Sequence, residues 1–132
     1  MWWRSVNVAA PADDVWALVT DTRSWPQWGP TVTDVRLDDA ITRIHAGSTG
    51  AVRTPVGLWA PFAVTSWRAE GDKRSWSWRV AGIAATSHQV ETLGADRCAV
   101  RFGVPLWAPA YLPVVEVGLR RLRRLAEDRP LG

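Results

Sequence analysis

The sequence predicts an α+β fold: an antiparallel sheet, built largely as a meander, with a long C-terminal helix laid across its dry face. Two patterns predict it. Between residues 61 and 104, four runs alternate apolar and polar residues with a period of two and are separated by short turns. From Tyr111 to Glu127 the apolar residues recur at three- and four-residue steps instead, the period of a helix. At 132 residues the chain fits a single domain, 1–132. A domain of this size buries roughly two-thirds of the surface its unfolded chain exposes.

Residues 2–9, WWRSVNVA, set Arg4, Val6 and Val8 against Ser5 and Asn7 and read as a first strand. Pro11 opens a helix, because proline is tolerated at a first helical position, and Asp13 and Asp14 suit the positive end of its dipole. Val15, Leu18 and Val19 form its apolar stripe, with Trp16 beside them. DTRSWPQWGP, 21–30, holds two prolines and a glycine and predicts a turn or one helical turn. A strand follows in TVTDVRLDD, 31–39, and Gly47 and Gly50 bracket a turn before the strand AVRT.

The meander then runs through 61–71, 73–80, 84–94 and 97–104, joined by EGDK, by Ala81-Gly82 and by Gly94–Asp96, connectors short enough to force antiparallel neighbours. Alternation places Trp76, Trp78, Val80, Thr86, His88, Val90, Cys98, Val100 and Phe102 on one face, and Ser75, Ser77, Arg79, Gln89, Glu91, Arg97 and Arg101 on the other. The last helix covers the first face with Leu112, Val115, Leu119, Leu122 and Ala126, flanked by Val114, Val117 and Leu125.

Composition narrows the function. One cysteine, Cys98, permits no intramolecular disulfide, and two distant histidines with one cysteine give no metal-ligand spacing, so neither a metal nor a cofactor is expected. The N-terminal residues lack the long apolar core of a secretory signal, and no run approaches the roughly 18 apolar residues of a membrane span. The expectation is a cytoplasmic protein. No G-x-S-x-G elbow and no phosphate-binding loop occurs. Ten tryptophans stand against two phenylalanines and one tyrosine, an excess suited to walls that are apolar yet partly wet. The net charge is +3, but GLRRLRRLAEDR near the end carries five arginines against two acids.

The order strand, short helices, six strands and long helix, with AP-x-x-x-VW-x-L-x-TD from Ala10 to Asp21 and W-x-x-WGP from Trp25 to Pro30, resembles the polyketide cyclase/dehydrase branch of the START-like, or SRPBCC, superfamily. The resemblance covers nearly the whole chain. It implies a helix-grip fold: a curved seven-stranded antiparallel sheet wrapped around the long C-terminal helix, with two short helices between strands 1 and 2 and a cavity between sheet and helix. It also implies a small apolar partner, polyketide- or lipid-like.

Candidate ligand walls are Trp28, Val52, Val64, Trp76, Trp78, His88, Phe102, Tyr111, Val115 and Leu119. Trp76 and Trp78 fit a packed core as well as a cavity wall, since both are apolar. WPQW reads either as a lid or as a plug, and Trp107 with Tyr111 as an opposite rim. In a cyclase or dehydrase, His88 is the candidate catalytic proton shuttle, with Arg53 or Arg68 steadying an enolate. In a binding protein no shuttle is needed and His88 is a hydrogen-bonded wall residue. Cys98, with no basic neighbour on its face, reads as a small hydrophobe. The arginine helix reads as a solvated face, and no nucleic acid partner is expected; as an interaction surface it would instead imply a packed, ligand-free core.

Overall fold

The computed structural model describes residues 1–128. The elements are β1 (Trp2–Val8), α1 (Ala12–Thr20), α2 (Trp25–Trp28), β2 (Asp34–Leu37), β3 (Thr49–Arg53), β4 (Trp59–Arg68), β5 (Lys73–Val80), β6 (Ile83–Gly94), β7 (Arg97–Val104), a 3₁₀ turn Pro109–Tyr111 and α3 (Leu112–Glu127). All seven strands form one antiparallel sheet in the order β1-β7-β6-β5-β4-β3-β2. The sheet curves around α3, and α1 and α2 lie between the first two strands, the helix-grip arrangement.

The β5–β6 connection follows from its residues. Ala81 and Gly82 have φ of 52° and 77°, the two positive values a two-residue hairpin needs to match strand twist. Pro11 stands just before α1, at its N-cap, one position earlier than expected. Gly50 is not part of a turn: it sits inside β3 against Leu37, where an added Cβ would collide with the Arg36 carbonyl. Close approach, not a bend, requires glycine there.

Curvature comes from bulges. Val64 pairs Trp78 but Ser66 pairs Ser77, so Thr65 is an extra residue in β4; Ser77 pairs Ser87 but Arg79 pairs Ala84, so β6 also carries an extra residue. Both irregularities flank Trp78, and a bulge bends and twists its strand. The sheet is therefore bent beside that indole, and a third irregularity, between Thr92 and Gly94, bends β6 at its other end.

The core lies between the dry face and the helices. Val15, Val19, Val90, Val100 and Leu122 are completely inaccessible, and α3 contributes Val115, Gly118, Leu119, Leu122 and Ala126. Gly118 brings the α3 backbone near the Trp28 carbonyl, 3.4 Å from where a Cβ would stand. One ion pair and one hydrogen bond hold α3 beside β1: Arg4 Nε reaches Glu116 at 2.9 Å, and the N–H of Ala9, just past the strand, donates to the Glu127 carboxylate at 2.8 Å. Arg120, Arg121, Arg123 and Arg124 are exposed, Arg123 pairing with Glu127 one turn on, whereas Arg129 lies outside the described residues. No helix among the described residues is long and apolar enough to cross a membrane.

Candidate functional site

The tryptophans of α2 are plugs. Trp25 and Trp28 are buried, and their indole N–H groups donate to the Val19 and Leu18 carbonyls of α1, both at 3.0 Å. Trp25 stacks on Trp76 with centroids 5.4 Å apart and planes 6° from parallel. A buried indole with a satisfied N–H and a stacked face has little freedom to swing as a lid.

Behind this plug lies a small inner cavity of about 60 Å³, walled by Trp28, Trp76, Trp78, His88, Phe102, Tyr111 and Val115. That volume is well below the roughly 300 Å³ at which ligand sites begin. His88 is buried on its wall. Trp78 Nε1 donates to Thr86 Oγ1 at 3.0 Å, and that hydroxyl lies 3.1 Å from His88 Nε2. His88 Nδ1 makes no well-formed hydrogen bond. Burial pushes the imidazole pKa down to about 3, and the nearby Trp76 backbone offsets only part of that effect. At neutral pH the ring is therefore uncharged.

A second, larger cleft of about 330 Å³ adjoins the inner cavity. Thr31, Val32, Trp78, Thr86 and Tyr111 line both, so Trp78 and the Thr31–Tyr111 pair form the partition; their hydroxyls are hydrogen-bonded at 2.6 Å. The cleft floor is made of small side chains, Ala60, Ala84, Ala85 and Ala108, and its margin of Ile83 and Trp107. It opens at the end of the sheet where β7 runs out and the β5–β6 turn lies.

Of the sequence-derived walls, seven thus surround the inner cavity, while Val52, with Trp78 and Tyr111, lines the outer cleft. Val64 and Leu119 line neither cavity; both are core side chains, 6% and 3% exposed. Arg53 and Arg68 are exposed and line neither cavity, so their side chains are not placed to steady an enolate in either. Cys98 does have a basic neighbour: Arg74, bound to Asp13 at 2.9 Å, acts on it. Burial nevertheless outweighs that charge and pushes the thiol up to about 11. His45, unassigned in the sequence, is exposed and pairs with Asp39 at 2.7 Å; that carboxylate raises the imidazole pKa, and the imidazole lowers that of Asp39. Among the described residues no cluster of His, Cys, Asp or Glu could hold a metal ion.

Known structures share this architecture. A hypothetical protein from Helicobacter pylori superposes with a TM-score of 0.76 at 14% identity, over 94% of this chain and 86% of that one. The Zhui aromatase/cyclase from Streptomyces sp. R1128 does so at 0.66 and 16%, over 97% and 93%. The di-domain aromatase/cyclase BexL from the BE-7585A biosynthetic pathway gives 0.67 and 17%, over 93% of this chain but 45% of that one. At such identities the likeness shows the fold alone. None of the curated proteins matches the chain. The family described as polyketide cyclase / dehydrase and lipid transport matches residues 4–127. With the helix-grip sheet, the α2 plug and that match over nearly its full length, the chain belongs to the polyketide cyclase/dehydrase and lipid transport family.

Proposed function

We propose that the protein binds a small apolar or aromatic molecule in the outer cleft between the sheet and the start of α3. The observation that carries this reading is the cleft itself: about 330 Å³ walled almost wholly by apolar side chains, with the hydroxyls of Thr31, Thr54, Thr86 and Tyr111 as its few polar groups. Ligand sites have this make-up, and their volumes begin at roughly 300 Å³. The inner cavity is too small for such a ligand; Trp78 and Thr86 stand at the back of the cleft, and His88 lies behind Thr86 in the inner cavity.

Binding is favoured over cyclisation by the state of His88. A general base works best with a pKa near the operating pH, and an imidazole held at about 3 is far from it. The exposed arginines of α3 stay available to solvent in either case, and the reading does not use them.

The test is a fluorescence titration with phenylnaphthylamine, a neutral apolar probe, alongside native mass spectrometry and solvent extraction of the freshly purified protein. Saturable probe binding that Ala60→Trp abolishes by filling the cleft is the expected result. No saturable binding, or binding that Ala60→Trp leaves intact, overturns the reading.

A further inference from the structure

Four of the ten tryptophans are exposed, and all four gather at one end of the sheet. Trp2 and Trp3 begin β1, opposite Val104 and Gly103 at the end of β7; Trp59 begins β4 and Trp107 follows β7. The strand pairings carry this end across the sheet: Gly103 lies against Ser87, Val80 against Phe62 and Trp59 against Arg53. Val56 and Leu58, 80% and 69% exposed, project from the β3–β4 turn at the same end, and Leu106, 66% exposed, stands beside Trp107. Of eleven large exposed apolar side chains among the described residues, only Ile41 and Leu93 lie elsewhere. Scattered exposed apolar residues are ordinary, but a cluster on adjoining turns is a binding surface.

The charges behind these turns are mainly positive, the acids near them being Asp34, across from Arg53 in β2, and Glu116, bound to Arg4. Residues 1–12, 53–62, 79–87 and 101–115 contain no aspartate or glutamate, while Arg53, Arg79 and Arg101 stand one to five residues back from the tips. The Arg53 guanidinium folds against Gly57, Arg79 reaches the Gly82 carbonyl at 3.5 Å, and Arg101 lies 5.6 Å over the Trp3 ring. Arg36, from β2, sits 4.6 Å over Trp59.

We infer that this end of the sheet docks on an anionic lipid surface, the apolar turns entering the interface and the arginines meeting the headgroups. Tryptophan favours the boundary between headgroup and acyl chain, and arginine reaches back to phosphate while its stem stays in apolar contact. A second copy of the chain fits less well, since two such ends would oppose arginine to arginine. The cleft opens between these turns, so a docked molecule would exchange its ligand with the bilayer without exposing it to bulk water. That last consequence rests on the ligand-binding reading; the docking itself does not.

The experiment is co-sedimentation of the full chain with vesicles of phosphatidylcholine containing phosphatidylglycerol, and with vesicles of phosphatidylcholine alone. Binding to the anionic vesicles that weakens with salt, and that falls at least about tenfold in Leu58→Ser/Leu106→Ser, is expected. Neither leucine lines a cavity, so that variant keeps its phenylnaphthylamine binding, whereas Ala60→Trp loses the probe and keeps the vesicles. The inference is overturned by absence of binding to anionic vesicles, by undiminished binding of the leucine variant, or by equal binding to neutral vesicles. A dimer in sedimentation equilibrium that the leucine variant abolishes, without vesicle binding, assigns the face to a second copy and overturns it equally.

Discussion

The imidazole of His88 lies flat against the indole of Trp76, ring centroids 3.9 Å apart and planes 19° from parallel. The two residues are direct partners across β5 and β6, so the strand register itself makes the stack. Phe102 from β7 closes the far side, edge-on at 4.9 Å. A ring enclosed in this way hydrates a positive charge poorly.

Acid should therefore destabilise the fold through His88. Its folded pKa, about 3, lies below the unfolded value of 6.5, so between those values the unfolded chain takes up a proton that the native state refuses. The contribution is fully present above pH 6.5 and is lost as pH falls toward 3, by an amount on the order of a few kcal/mol. Urea unfolding across that range should show the slope, and His88→Leu should flatten it. A native-state NMR titration of His88 with a midpoint near 6 would sink this account.

Tyr111→Phe removes the hydrogen bond to Thr31 that helps separate the two cavities. The expected cost is about 1 kcal/mol, the net worth of an ordinary hydrogen bond. Equilibrium urea denaturation reads that cost; an unchanged midpoint would mean that the two hydroxyls are equally well satisfied without each other.

Leu122 anchors the middle of α3 and is wholly inaccessible. Leu122→Ala should cost about 2–5 kcal/mol, the range for removing a buried leucine whose cavity does not collapse. Equilibrium denaturation gives the value directly; a loss well under 1 kcal/mol would mean that the helix resettles on the sheet.

Most of the fold was legible because alternation and helical spacing are local properties. Trp76, His88, Val100 and Leu122 fell on the dry side by counting alone. Gly50 was misread as a turn residue because close approach by Arg36, a partner on another strand, leaves no mark in its own neighbourhood. The candidate site was legible at its back wall and at the Trp107–Tyr111 rim, but not on its floor. The expected walls were large apolar side chains, and large side chains fill space: Val64 and Leu119 are core and line neither cavity. Room appears where side chains are small, at Ala60, Ala84, Ala85 and Ala108, and the alanines around Ala81-Gly82 were the available signal. The bulges beside Trp78 had no signal, since an extra residue in a strand looks like any other until its partner strand is known.

The order of the sheet has a bearing on how the chain assembles. β1 is made first, yet its one strand neighbour is β7, nearly the whole length of the chain away. Strands β3 to β7 can close through short turns as they emerge, each at small entropic cost, while β1 must wait with its exposed tryptophans for the last strand to exist. During synthesis the sheet therefore has an open, apolar edge at β7, which only the return of the N-terminal strand can seal.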